Sequence, residues 1–252
     1  MKVSFIGAGP GDPELMTRKA WRVLGLADVV LHDALMDIEG MKEAAPRARW
    51  LSVGKRAGRV SVSQEFIGRA IVNFAARGFR VARLKGGDPS IFGRLTEELH
   101  ACRERNLEFE IIPGVTAACA SAAELGMSLT SRTVSRSVVF LTPRVAKGEP
   151  NSDNRWIAAA RHADTAVLYM AGHDTPAICR KLIAAGLPQE TPACLVENAS
   201  RNAKTCHATL FELASRTIAH AEGPTTLLIG DAFGEAVAHA VAPARAHRLR
   251  VR

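Results

Sequence analysis

Val3-Ser4-Phe5-Ile6-Gly7-Ala8-Gly9-Pro10-Gly11-Asp12-Pro13 lies at the start of the chain, and Val81-Ala82-Arg83-Leu84-Lys85-Gly86-Gly87-Asp88-Pro89 follows the same plan. In each stretch an apolar run meets a glycine-rich turn closed by Gly-Asp-Pro. Glycine reaches dihedrals closed to other residues and carries no side chain, so such a turn lets backbone approach a ligand closely. In open parallel sheets, ligands bind outside the carboxyl ends of the strands. Two such turns predict a pocket lined mainly by main chain.

Outward from these stretches, strand and helix signals alternate. Residues 14–26 have helical spacing, with Asp12 as N-cap and Pro13 at the first helical position. Residues 28–31 and 49–53 read as short buried strands. Residues 63–77 read as an amphipathic helix opened by serines and closed by Gly78. Further strands fall at 79–84 and 109–112, with helices at 95–106 and 116–125. Such alternation implies right-handed crossovers and a parallel sheet. Residues 128–136 are polar and form a linker candidate. Beyond them, strands are expected at 137–141, 165–170, 193–196, 205–209 and 225–229, with helices from Trp156, at 176–185 and at 210–219. The expectation is two α/β domains, residues 1–130 with a parallel sheet and residues 131–252 with a mixed sheet, the active site in the cleft between them.

Composition narrows the function. No apolar run approaches the roughly 20 residues of a membrane span, and the N-terminal apolar stretch is broken at once by Gly7, Gly9 and Pro10. Cys102, Cys119, Cys179, Cys194 and Cys206 are scattered without paired spacing. They read as reduced cytoplasmic thiols, not a disulfide or zinc framework, and no metal is expected. The formal net charge of +8 points to an anionic partner, with the basic run 245–252 supplying part of it. A single tyrosine and no interleaved basic-aromatic patch argue against nucleic acid, and a small polyacidic substrate fits the charge as well.

A dinucleotide cofactor would need G-x-G-x-x-G with its pyrophosphate at the helix N-terminus. Here Asp12 stands at the third glycine position, where a carboxylate would repel phosphate. No G-K-[ST] follows a glycine loop, which excludes a Walker-type site. A cationic sulfonium carrying a nucleoside suits the loops better, because carbonyl-rich turns and Asp88 complement positive charge and ribose hydroxyls.

The set Gly7 to Pro13, Val53-Gly54-Lys55-Arg56-Ala57-Gly58, Arg83 to Pro89, Phe92-Gly93-Arg94, Pro113-Gly114-Val115-Thr116-Ala117, Tyr169-Met170 and Val196-Glu197-Asn198 resembles the uroporphyrinogen-III C-methyltransferases of the tetrapyrrole methylase family. The motifs occur in family order over essentially the whole chain. The resemblance implies S-adenosyl-L-methionine as methyl donor, two methylations of uroporphyrinogen III to precorrin-2 for cobalamin or sirohaem, and a cytoplasmic homodimer bound to neither nucleic acid nor membrane. It places donor contacts on Pro10, Gly86, Gly87, Asp88, Ile91, Thr116, Ala117 and Met170, and on Ala199 where the family usually has glycine. It maps a proton acceptor onto Asp33 and a proton donor onto Lys55.

Chemistry leaves alternatives beside these roles. Methyl transfer to an electron-rich carbon needs the two reactants aligned, and a ring proton must then leave, which gives a carboxylate such as Asp33 a task. Asp33 otherwise reads as a turn residue, and Lys55 as an anchor for a substrate carboxylate. Arg56, Arg94, Arg132 and Arg136 could pair with the carboxylates of the octa-acidic substrate, or be solvated surface arginines. Ser90, Leu95-Thr96 and Thr142-Pro143-Arg144 depart from the usual pattern, in loops expected to face the cleft. The rival readings are a methyltransferase for a later precorrin and a non-catalytic basic relative that binds nucleic acid.

Overall fold

The computed structural model describes residues 2–34, 36–54, 63–143, 154–216 and 223–241. The chain divides into two compact units, residues 1–120 with 200–202 and residues 121–199 with 203–252. The polar run 128–136 lies in the second of these.

The first unit holds strands β1 (Lys2–Gly7), β2 (Val29–His32), β3 (Arg49–Ser52), β4 (Val81–Lys85) and β5 (Glu108–Ile112). They form one parallel sheet in the order β3-β2-β4-β1-β5. Helices α1 (Arg18–Leu24), α2 (Ile38–Lys42), α3 (Gln64–Ala76), α4 (Leu95–Glu104) and α5 (Ala117–Glu124) connect and follow the strands; the division between units falls within α5. Successive strand side chains point to opposite faces. Ile6, Val30, Ala82 and Leu84 accordingly pack with Ala20, Leu24 and Met41 of α1 and α2. Val3, Phe5, Leu31 and Val81 pack with Ile67, Ile71, Leu99 and Cys102 of α3 and α4. Burial on both faces is why β2 reads as an unbroken apolar run.

The helix after the first glycine turn starts later than its spacing predicts. Asp12 Oδ1 accepts from Glu14 N at 2.9 Å, but it caps only a 3-10 turn, Pro13–Leu15. The buried Met16 is extended, and Thr17 then caps α1 anew, its Oγ1 accepting from Ala20 N at 3.1 Å. Two caps close together divide the expected helix into a turn and a shorter helix.

In the second unit, strands β6 (Val138–Leu141), β7 (Thr165–Tyr169), β8 (Pro192–Glu197), β9 (Lys204–Thr209) and β10 (Thr225–Ile229) form a mixed sheet ordered β6-β7-β10-β8-β9. Only β6 and β7 run parallel; the other neighbours are antiparallel. Helices α6 (Arg155–His162), α7 (Thr175–Ala184), α8 (Leu210–Ser215) and α9 (Gly234–Val241) accompany it. Leu168, Leu195 and Leu227 from the sheet meet Ile178, Leu182, Leu210 and Leu213 from α7 and α8 in its core. Among the described residues, no helix is long and apolar enough to cross a membrane.

Candidate active site

The turns after β1, β4 and β5 are bonded to one another. Ala8 N donates to Lys85 O at 2.8 Å, Gly87 N to Gly9 O at 2.6 Å, and Gly9 N to Gly87 O at 3.3 Å. Asp88 ties this pair to the third turn: its Oδ2 accepts from Gly114 N at 3.1 Å, and its Oδ1 accepts from Ser90 N at 2.8 Å and from Ser90 Oγ. Ser90, unusual by comparison with the family pattern, thus helps to fix the loop aspartate.

The glycines of these turns fall into two kinds. A Cβ on Gly7 would sit 2.6 Å from Gly114 N, and one on Gly114 would sit 2.3 Å from Gly87 O, so both are required by close backbone packing. Gly87 is different: it has φ +68°, and no described atom lies within 4 Å of where its Cβ would be. Beside Gly86 the nearest atom to such a Cβ is Met36 Cε at 3.9 Å. Backbone bordered by open space leaves room beside Gly86 and Gly87 for a ligand held through main chain. Pro10, Asp88, Ile91, Thr116 and Ala117 are half-buried on the same three turns or at the start of α5. In the first turn, Gly11 packs against the Arg201 side chain and Asp12 N donates to Ser200 Oγ at 3.3 Å.

At the end of β2, Asp33 is the outer member of a charged network that the sequence reading did not assemble. Arg83 and Lys85 project from alternate positions of β4 and are almost fully buried, as is Glu98 on α4. Glu98 accepts from Lys85 Nζ at 2.9 Å through both carboxylate oxygens, and its Oε1 accepts from Arg83 Nε at 3.1 Å. One terminal nitrogen of Arg83 donates to Leu84 O at 3.0 Å and Leu31 O at 3.4 Å. The other donates to Asp33 Oδ1 at 2.5 Å and lies 3.1 Å from Glu98 Oε1. Four of the guanidinium's five N–H donors make hydrogen bonds, and its remaining terminal N–H lies in an ion pair with Glu98. Burial is the main cause holding the Lys85 pKa below its ordinary value, with Arg83 adding to it and Glu98 opposing it.

Asp33 itself remains partly open, with 32% of its side chain exposed against 2% or less for its three partners. Among the described residues its Oδ2 has no hydrogen-bond partner. The backbone beside it is tightly packed, since a Cβ on Gly54 would fall 2.0 Å from Ala34 N. His32 Nδ1 lies 2.8 Å from Asp33 O, where only its protonated form can donate. Burial lowers the His32 pKa, so the ring is held neutral with that proton on Nδ1.

Among the expected substrate anchors, Arg94 is exposed and in an ion pair with Glu97, Nε to Oε2 at 3.0 Å. It sits at φ +53°, as does its neighbour Phe92 at +50°. Arg132 and Arg136 are exposed. Lys55, Arg56 and Arg144 lie outside the described residues. In the second unit, Met170 follows β7 at φ +59° and is 40% exposed. Ala199 is buried after β8 and has no positive φ, so the replacement of glycine there carries no backbone penalty. Among the described residues no cluster of His, Cys, Asp or Glu gathers as metal ligands. An open groove of about 850 Å³ in the first unit is lined by Asp12, Met16, Arg18, Trp21 and Glu43 and includes none of the expected donor contacts.

The site is built on a parallel sheet whose glycine turns present bare backbone, with a partly open Asp33 at the end of β2, and comparison with known proteins gives the class. Residues 2–214 match the model of the Tetrapyrrole (Corrin/Porphyrin) Methylases, and the chain belongs to that family. It is 42% identical over 229 residues to Uroporphyrinogen-III C-methyltransferase of Cyanidium caldarium, covering 90% of this chain and 91% of that protein. It is 40% identical over 242 residues to the protein of the same name from Pseudomonas aeruginosa, covering 95% and 97%. Among solved structures, Uroporphyrin-III C-methyl transferase from Thermus thermophilus complexed with S-adenyl homocysteine superposes with a TM-score of 0.79 at 33% identity, covering 93% of this chain and all of that one.

Proposed function

We propose that this chain transfers methyl groups from S-adenosyl-L-methionine to two ring carbons of uroporphyrinogen III, giving precorrin-2. The observation that carries the reading is the open backbone of Gly86 and Gly87 within a chain matched along almost its full length by uroporphyrinogen-III C-methyltransferases. The bound donor supplies an electrophilic methyl on a sulfonium and a neutral thioether as leaving group.

The residues of the chain are assigned as follows. Pro10, Gly86, Gly87, Asp88, Ile91, Thr116 and Ala117 hold the donor, with Met170 and Ala199 as further contacts. Fixing the donor by main chain places it without mobile side chains, and alignment of the reactants is what this displacement needs. Attack by a ring carbon makes that carbon quaternary and leaves an iminium on the tetrapyrrole. A proton then leaves another atom of the macrocycle and passes to Asp33, which restores a neutral ring. Lys55 serves as proton donor or as an anchor. Arg56, Arg94 and Arg132 pair with substrate carboxylates, Arg94 exchanging its Glu97 partner for them. The protein works as a homodimer in the cytoplasm, the reducing compartment being supported by its five free thiols.

Purified protein given uroporphyrinogen III and isotopically labelled donor under anaerobic conditions should add two methyls per tetrapyrrole, read by mass spectrometry. Donor binding without methylation of this substrate, but with transfer to a later precorrin, would replace the proposed substrate. Nucleic-acid binding with no donor affinity would remove the enzymatic reading altogether.

A further inference from the structure

We propose that Glu98 is a positioning residue for the reaction, setting the carboxylate of Asp33 through the Arg83 guanidinium. The inference rests on the reading of Asp33 as proton acceptor and extends it to a residue on a different element. Arg83 is a rigid fork that touches both carboxylates, Glu98 through Nε and Asp33 through a terminal nitrogen. A planar guanidinium cannot move one edge without moving the other. Glu98 is in turn held by Lys85 through both of its oxygens, so its position is fixed from below. The chain of contacts runs from Lys85 to Glu98, Arg83 and Asp33, and only the last member reaches solvent.

Energetics supports a role beyond stability. Buried ion pairs are seldom better than well-packed apolar residues of similar volume, because desolvation offsets the attraction. Two cations and a carboxylate are nonetheless buried here between β4 and α4, beneath the turn that carries Gly86 and Gly87. With all four groups ionised the charges cancel. Without Glu98, Asp33 alone would face two cations, and Arg83 would lose the contact that fixes its outer edge. Asp33 Oδ1 is committed to Arg83, which leaves Oδ2 as the oxygen directed to substrate.

The test is a double-mutant cycle on the full chain with Asp33→Asn and Glu98→Gln. Turnover, substrate KM, donor affinity by calorimetry and melting temperature are measured for each protein. Asp33→Asn should lower kcat by about 10²–10⁴-fold, as expected for loss of a general base. Glu98→Gln should lower kcat by about 10–100-fold through misplacement of that base, with KM and donor affinity unchanged. In the Asp33→Asn background, Glu98→Gln should cost no further activity. Equal losses in the two backgrounds, or a loss matched by weakened donor binding, would overturn the proposal and leave Glu98 a structural residue. Full turnover by Asp33→Asn would instead remove the proton-acceptor reading itself, and the proposal with it. Should Glu98→Gln fail to fold, Glu98→Asp takes its place in the cycle. It keeps the charge but falls a methylene short of bridging Lys85 and Arg83, and the same coupled loss is expected.

Discussion

Glycine side-chain space separates two jobs that the sequence writes with one letter. An added methyl on Gly114 would meet Gly87 O at 2.3 Å, so Gly114→Ala must push the β4 and β5 turns apart. Overpacking of that kind costs about 1–3 kcal/mol, and melting should fall by about 2–4 °C for each kcal/mol in a chain of this size. An added methyl on Gly87 meets nothing described, and Gly87→Ala bears chiefly the left-handed backbone cost of about 1–2 kcal/mol. Its methyl would stand where the donor is proposed to lie, so donor Kd should rise about tenfold or more. Calorimetry on the two variants checks the pair: weakened donor binding at Gly114→Ala but not at Gly87→Ala would reverse the assignment. His32 supplies a second prediction at this scale. Burial depresses its pKa below the ordinary 6.5, so the unfolded chain takes up the proton first as pH falls. The stability from neutral His32 is therefore complete above pH 6.5 and is lost as pH drops through that value toward the lower folded one. The loss is at most about 1.4 kcal/mol per pH unit in that window. Melting curves across it should fall more steeply for the wild type than for His32→Gln, and parallel curves would exclude His32 as the titrating group. The charged network shows where residue-level reading stopped. Arg83 and Lys85 stand two apart in a strand otherwise apolar and buried, which alone demands a buried carboxylate on the facing helix. That signal was available in the sequence; the identity of the partner was not, because Glu97 and Glu98 are adjacent and only helix phase makes Glu98 the inner one.

Elements were legible in proportion to how strongly one physical cause specified them. The inner strands β1 and β2 are short, mainly apolar runs, and burial on both faces fixes that pattern. The edge strands β3 and β5 are only partly buried, so the strand expected to be buried at 49–53 is not. α3 was visible from Ser63, whose hydroxyl accepts from Phe66 N at 3.1 Å, and from the apolar spacing of Ile67 and Ile71. α2 and α9 went unread because each is a turn or two long and depends on tertiary packing more than on its own pattern. α8 ends at Ser215, four residues before its expected close, with Arg216 already extended. Its start is held by a reciprocal capping box: Glu212 N donates to Thr209 Oγ1 at 3.2 Å and Thr209 N to Glu212 Oε2 at 2.8 Å. Thr209→Ala removes one half of that box and should cost about 1 kcal/mol, a fall of about 2–4 °C in melting temperature. Thr209→Ser should recover most of it. An unchanged melting temperature in Thr209→Ala would mean that Leu210 and Leu213, both fully buried, hold α8 without the cap.

At the scale of the whole molecule, net charge is the property that single residues do not convey. The chain carries +8, and Arg245, Arg248, Arg250 and Arg252 near the C-terminus supply half of that excess. A field of this sign draws a polyanionic substrate toward the protein and raises its encounter rate. Ionic strength should therefore act on the tetrapyrrole far more than on the methyl donor. The Debye length shrinks from about 10 Å at 0.1 M salt to about 3 Å at 1 M, which removes steering while contact pairs persist. The kcat/KM for uroporphyrinogen III should fall about tenfold over that range, with donor affinity nearly flat. Which arginines supply the field is a separate question with its own control. Replacing the four terminal arginines by glutamine halves the net charge and leaves Arg94, Arg132 and Arg136 in place. If the loop arginines steer the substrate, the salt slope survives that replacement. A slope that vanishes with the terminal arginines would move the steering to the tail, and a wild-type kcat/KM indifferent to salt would show that the positive field plays no part in capture.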